Sequence, residues 1–189
     1  MGRFVCFRIV ETSHKLLLNG EKLNPIFVFV SLSPQQLIQL KSGAFATVCK
    51  GKHRQTGKQY AIKCITRNAL KPWEEIDILN EVCIMSTLVH PNIVLLVDFF
   101  VQNDCYLIVM ELCEGGDVFD RIGKRVDCQG GHDSKTRGYT ERDARDLCKA
   151  LLEAVRYCHE DMSIAHCDLK PRNLLLQVST TEQGMDGVM

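Results

Sequence analysis

No sign of charge dominates this sequence. Its 23 Lys and Arg balance 23 Asp and Glu over 189 residues, so no whole-chain field draws nucleic acid or an anionic membrane. No apolar run reaches the ~20 residues a membrane-spanning helix needs, and no secretory signal pattern occurs. Cysteine is plentiful at ten, yet no C-x-x-C pair exists and the spacings are irregular. Paired zinc-ligand spacing is therefore missing, and the loose set Cys128, His132, Cys158 and His159 makes a poor metal site. Met1-Gly2 opens like an N-myristoylation motif, but Cys6 stands where that motif needs Ser or Thr. These absences predict a reducing intracellular setting, cytoplasmic or nuclear, with no nucleic-acid partner and no membrane span. What is there, 46% hydrophobic and 24% charged residues, is the balance of a soluble globular protein. The length suits one ordinary domain or two small ones.

Residues 1–36 read as a β-rich extension. Phe4 to Val10 and Lys15 to Leu18 are β-prone runs, and Asn19-Gly20 comes next as a hairpin signal because both turn residues must take positive φ. Ile26 to Val30 reads as a buried strand ended by Ser31, Ser33 and Pro34. Three short strands are expected, standing apart from the chain beyond residue 36. The stretch Glu11 to Leu23 is similar to the last third of a forkhead-associated domain, where S-x-N-G-T-x-x-N-G is frequent. Only Asn19-Gly20 agrees; Thr12 replaces the Ser and His14-Lys15 the first Asn-Gly. A remnant of such a domain and an unrelated β extension are the two readings. Neither implies phosphothreonine binding, because the strands with the phosphate-contacting Arg and Ser would lie outside this chain.

The chemistry concentrates in His166-Cys167-Asp168-Leu169-Lys170-Pro171-Arg172-Asn173. An Asp that accepts a hydroxyl proton, a Lys that meets phosphate and an Asn that ligates a divalent ion suit phosphoryl transfer. This resembles the catalytic loop H-R-D-L-x-x-x-N of eukaryotic protein kinases, with Cys167 in place of the usual Arg. The other parts of that family occur in order. Leu40 to Val48 resembles the glycine-rich loop, although G-x-G-x-x-G becomes Lys41, Gly43 and Ala46. Tyr60-Ala61-Ile62-Lys63 looks like the V-A-I-K strand, reached through a Thr56-Gly57-Lys58 turn. Glu74 to Leu88 has Ile76, Leu79, Val82, Cys83, Met85 and Leu88 near a 3.6-residue period, predicting a helix that Pro91 brings to an end. Glu81 on it matches the Glu that pairs the phosphate-binding Lys, which predicts a Lys63–Glu81 ion pair.

Strands over Val94 to Val101 and Tyr106 to Met110 lead into Glu111-Leu112-Cys113-Glu114-Gly115-Gly116-Asp117, which resembles the kinase hinge. By that resemblance Met110 is the gatekeeper, Glu111 and Cys113 offer backbone contacts to adenine, and Asp117 reaches toward the ribose. Val48, Ala61 and Leu175 would sandwich the adenine ring. A short helix over Val118 to Ile122 and a polar insertion over Gly123 to Gly138 are expected next. Thr140 with Asp143 three residues on starts a helix through His159, like the long helix before the catalytic loop.

The resemblance implies an α+β, protein-kinase-like fold with a complete β-rich small lobe (37–110), a hinge (111–117) and a partial helical large lobe (118–189). It implies ATP and Mg2+ as cofactors, and a protein substrate with Ser or Thr. Asp168 and Lys170 would be catalytic, and Asn173 a metal ligand. Cys167 departs from the Arg that pairs a phosphorylated activation loop, and Arg172 from a Glu frequent in kinases of basic substrates. The run Glu111 to Ile122 looks most like the calcium/calmodulin-dependent group, which includes checkpoint kinases. No Asp-Phe-Gly occurs in the sequence. A complete kinase domain takes about 250 residues, so the expectation is a truncated Ser/Thr kinase, inactive alone, whose last helix has an apolar face with nothing to bury it. The alternative is a non-catalytic, pseudokinase-like binding or regulatory module.

Overall fold

The computed structural model describes residues 7–10, 38–42, 46–53, 56–102, 104–127 and 140–177. The chain divides into two units. Among the described residues the first holds 38–89 and 94–112, and the second holds 7–10, 90–93 and 113–177.

The first unit is a five-stranded antiparallel sheet with one helix on it. Strands β2 (Ile38–Ser42), β3 (Ala46–Lys52), β4 (Gln59–Thr66), β5 (Leu96–Gln102) and β6 (Cys105–Glu111) lie in the order β2-β3-β4-β6-β5. Period-two alternation divides their side chains between the faces. Tyr60, Ile62, Cys64, Leu107 and Val109 pack on one face. Ile65, Tyr106 and Ile108 pack on the other with Val82 of helix α1 (Pro72–Thr87). The β3–β4 hairpin turns at Gly57, whose φ of 72° belongs to the left-handed region that the turn requires. Pro72 starts α1, and Glu74 reaches back to accept the Lys71 N–H at 2.9 Å.

The burial of α1 departs from its apolar pattern. Val82, Met85 and Leu88 are buried as expected, but so is Glu81, while Ile76 is 60% and Leu79 43% exposed and Cys83 is exposed too. The helix turns a carboxylate inward, so apolar residues that the period grouped with the core end up outside.

In the second unit, β7 (Leu174–Gln177) is flanked on both sides. Strand β1 (Phe7–Val10) pairs with it in parallel, Phe7 opposite Leu174 and Val10 opposite Gln177. On the other side Gly115 N–H donates to Leu176 O at 2.9 Å, and Leu176 N–H to Gly116 O at 2.8 Å. The expectation that the amino-terminal strands stand apart therefore fails for β1, since a parallel partner 160-odd residues away leaves no local sequence signal. The other two expected strands, the Asn19-Gly20 turn and the forkhead-associated likeness lie outside the described residues.

Helix α2 runs over Val118–Asp127, longer than expected and past Gly123 into what read as insertion. Helix α3 (Glu141–Arg156) begins with the predicted capping box: Thr140 Oγ1 accepts the Asp143 N–H, and Asp143 accepts the Thr140 N–H. It ends in a wider π-type turn over Tyr157–Asp161. The segment 90–93 fastens onto this helix, with Asn92 Nδ2 donating to Ala150 O at 3.1 Å and the His90 ring stacked on Tyr157. On α3, Ala154 is fully buried while Leu152 remains 65% exposed. The backbone of β1 passes close by, and Leu147, Leu151 and Val155 are half-buried, so the apolar face is partly covered, against the expectation of none.

Candidate active site

Lys63 sits in the middle of β4, and the register sets its neighbours. Val48 lies opposite Lys63, Met110 opposite Ala61 and Ile108 opposite Lys63. Alternation then places Val48, Ala61, Lys63 and Met110 on one face of the sheet, the face that carries α1. Lys63 Nζ donates to Glu81 Oε1 at 3.1 Å, with side chains only 15% and 9% exposed. A carboxylate so enclosed needs a partner. The ion pair predicted from the spacing forms.

The glycine-rich loop is described at its edges. Lys41 is exposed within β2, opposite Val48, and so belongs to a strand rather than a tight turn. Ala46 opens β3 opposite Ile65. Gly43 lies outside the described residues. At the end of β6 the Glu111 N–H donates to Leu95 O at 3.1 Å, and its carboxylate accepts the Leu95 N–H at 3.0 Å. The sequence did not single out a cluster on the same unit: Arg67 donates twice to Glu75 Oε1, at 3.2 and 2.9 Å, and the Tyr106 hydroxyl donates to the same oxygen. Tyr106 pairs with Ile65, two residues from Lys63, a register that no local sequence signal announces.

In the second unit, Cys113 is half-buried, while Asp117 is buried and caps α2, its Oδ1 accepting the Asp120 N–H at 2.8 Å. Leu175 bridges to Asp117. The catalytic-loop residues come together tightly. Asp168 Oδ2 accepts from Lys170 Nζ at 2.7 Å and from Asn173 Nδ2 at 3.1 Å. Buried His166 accepts the Asp168 N–H at its Nδ1, 3.1 Å away. The Lys170 ammonium, with help from Asn173, holds the Asp168 carboxyl below its ordinary value, so it is ionised at neutral pH. Exposed Cys167 takes φ of 59°, a left-handed conformation uncommon for a side chain that is not glycine. Arg172 lies over the Phe119 ring at 4.0 Å.

A divalent ion fits this loop in part. The Asn173 amide nitrogen is committed to Asp168, which leaves its oxygen as a hard donor suited to such an ion. Among the described residues no cluster of three His, Cys, Asp or Glu could hold a metal by itself. An ion here would need ligands from a nucleotide's phosphates.

The sheet, the Lys63–Glu81 pair and the loop from His166 to Asn173 define a protein kinase domain. The family model for that domain matches residues 35–184, and the chain belongs to this family. It is 38% identical over 139 residues to myosin light chain kinase A of Dictyostelium discoideum, covering 74% of this chain and 43% of that protein. A probable myosin light chain kinase from the same organism is 36% identical over 137 residues, covering 72% and 32%. Calcium-dependent protein kinase 8 of Arabidopsis thaliana is 46% identical over 123 residues, covering 64% and 21%. The chain thus spans less than half the length of these relatives. The family uses ATP and a divalent metal in general. No described helix is long and apolar enough to cross a membrane.

Proposed function

We propose that this chain carries the nucleotide-binding and catalytic-loop parts of an ATP-dependent Ser/Thr protein kinase that acts on protein hydroxyls. The observation that carries this reading is the Asp168 carboxylate, ionised and braced by Lys170 and Asn173. Both donors converge on Oδ2, which leaves Oδ1 to accept the substrate's hydroxyl proton. The hydroxyl oxygen bonds to the γ-phosphorus, the bond to the β–γ bridging oxygen breaks, and the proton passes to Asp168. Lys170 stabilises the transferring group, and Lys63, held by Glu81, meets the α- and β-phosphates. Asn173 would hold Mg2+, which supplies charge neutralisation for the phosphates when bound. Backbone at Glu111 and Cys113 would receive adenine, with the Glu111 carbonyl as its acceptor because its N–H is already used.

A nucleotide-binding module without transfer is the second reading, favoured by one observation: these 189 residues contain no Asp-Phe-Gly, the family's other metal ligand. Two measurements separate the readings. Mg·ATP should raise the thermal midpoint of the chain, and Lys63→Met should abolish that rise. Radiolabelled transfer to a protein substrate, lost in Asp168→Asn, supports the kinase. Stabilisation without transfer supports nucleotide binding by a chain inactive alone, transfer overturns that inactivity and the module with it, and neither effect defeats both.

A further inference from the structure

Helix α1 is poorly fixed by apolar packing alone. Val82 and Met85 are buried on it while Ile76 and Leu79 are largely exposed, so apolar residues lie on more than one face, and a roll that exchanged them would withdraw buried Glu81 from Lys63. The segment also contains no Lys or Arg, so the cations that pair with Glu75 and Glu81 come from outside the helix. Glu81 finds Lys63. Glu75 finds Arg67 and Tyr106, both converging on Oε1.

We propose that Arg67 and Tyr106 are positioning residues for the Lys63–Glu81 pair: by gripping Glu75 they set the roll of α1 and hence where Glu81 presents its carboxylate. Glu75 and Glu81 stand six residues apart, about 9 Å along the axis and roughly 120° around it. A rod tied at one point can still roll; ties at two heights and two azimuths remove both roll and tilt. The grip has a rigid base. Arg67 N–H donates to Asp104 O at 2.8 Å, its guanidinium lies 5.1 Å from the Tyr106 ring centroid, and buried Tyr106 stacks on Phe99. Tyr106 and Arg67 also keep the Glu75 carboxyl below its ordinary value, so the grip stays charged at neutral pH. Its consequence for nucleotide rests on the reading of Lys63 proposed above.

The test is the acylation rate of Lys63 in the full chain by an amine-reactive reagent, read by mass spectrometry against Lys58. Glu81→Gln sets the response of a Lys63 that has lost the Glu81 carboxylate. Glu75→Gln should raise the relative rate about two- to tenfold, the lower part of the range of coupling within one side-chain network. Tyr106→Phe should raise it less, and Arg67→Lys should restore most of what Arg67→Ala loses. A Glu75→Gln rate equal to wild type, with Glu81→Gln raised, overturns the proposal. If Glu75→Gln does not fold, as judged by amide exchange in β4 and β6, Tyr106→Phe decides by the same criterion. Binding adds a second readout: Glu75→Gln should weaken Mg·ATP about two- to tenfold and leave adenosine unchanged, whereas equal losses mean a merely structural role. Mg·ATP binding that depends on Lys63 but ignores Glu75→Gln overturns the inference alone. No Mg·ATP binding by any form defeats the nucleotide reading, and the acylation ratio still decides the grip.

Discussion

The side-chain amide of Asn173 donates at once to the backbone carbonyl of Asp168, at 2.8 Å, and to its carboxylate, at 3.1 Å. One buried amide therefore fixes both the path of the loop and the direction of the acid. With His166 holding the Asp168 N–H, the loop is braced from within and carries Cys167 in a left-handed conformation.

Removing that brace should cost stability as well as function. Asn173→Ala deletes both bonds and leaves a partly buried carbonyl short of a donor, a loss of about 1–3 kcal/mol. Urea unfolding followed by circular dichroism measures it. A midpoint equal to wild type would mean the loop is held by something other than Asn173.

The Lys63–Glu81 pair should show the asymmetry of an enclosed charge. Lys63→Met takes the ammonium away from Glu81, which is only 8% exposed, and should cost about 3–5 kcal/mol. Lys63→Met with Glu81→Leu removes both charges and should be less destabilised than Lys63→Met alone. A double-mutant cycle in urea checks this, and simple additivity would count against a coupled pair.

Local features were legible in the sequence, and long-range ones were not. The Thr140–Asp143 cap, the turn at Gly57 and the strand carrying Lys63 each have a signal within a few residues. The Lys63–Glu81 pair was readable because the family spacing named both partners. Helix α1 misled because its inward face contains Glu81, so an apolar count favoured Ile76, Leu79 and Cys83, which face out. Helix α2 passes Gly123, whose modest cost in a helix an isolated reading takes as a stop. The pairing of β1 with β7 and the grip on Glu75 join segments far apart in the chain, and no local pattern encodes them.

Acid should weaken the fold through two named carboxylates. Asp168 and Glu75 both titrate below their ordinary values of 3.8 and 4.5 in the folded chain. Their contribution is therefore fully present above those ordinary values and is lost as pH falls through the lower folded ones. The urea midpoint should hold from neutral pH down to about pH 5 and then decline. Glu75→Gln should shallow that acid decline, and a variant with the wild-type slope would remove Glu75 from the account.

Thiol chemistry should sort by environment. Burial, with Cys49 and Cys105 nearby, pushes the Cys64 thiol up to about 12, and burial raises Cys49 and Cys158 as well. The thiolate is the reactive form, so these three should resist iodoacetamide at pH 8 in the folded chain. Among the described cysteines, Cys83, Cys148 and Cys167 are exposed and should be alkylated first. Peptide mapping of partly labelled protein gives the order, and early labelling of Cys64 would contradict its enclosure in the sheet.

Two adjacent glycines should fail for different reasons. A Cβ on Gly115 would lie 2.6 Å from Leu176 O and 2.7 Å from Leu176 Cβ, and the first of these is backbone that cannot swing away. Gly115→Ala must therefore separate the segment from β7, at about 1–3 kcal/mol. A Cβ on Gly116 meets nothing within 4 Å, but its φ of 75° is left-handed, so Gly116→Ala costs about 1–2 kcal/mol through conformation alone. Asparagine tolerates that region and adds bulk, so Gly116→Asn should lie nearer wild type than Gly116→Ala, and Gly115→Asn should be worse than Gly115→Ala. Urea midpoints of the four variants test the pair, and the reverse order at either position would overturn the assignment. Because β7 starts at Leu174, directly after Asn173, Gly115→Ala should also loosen the catalytic loop and speed alkylation of Cys167, whereas Gly116→Asn should leave that rate unchanged.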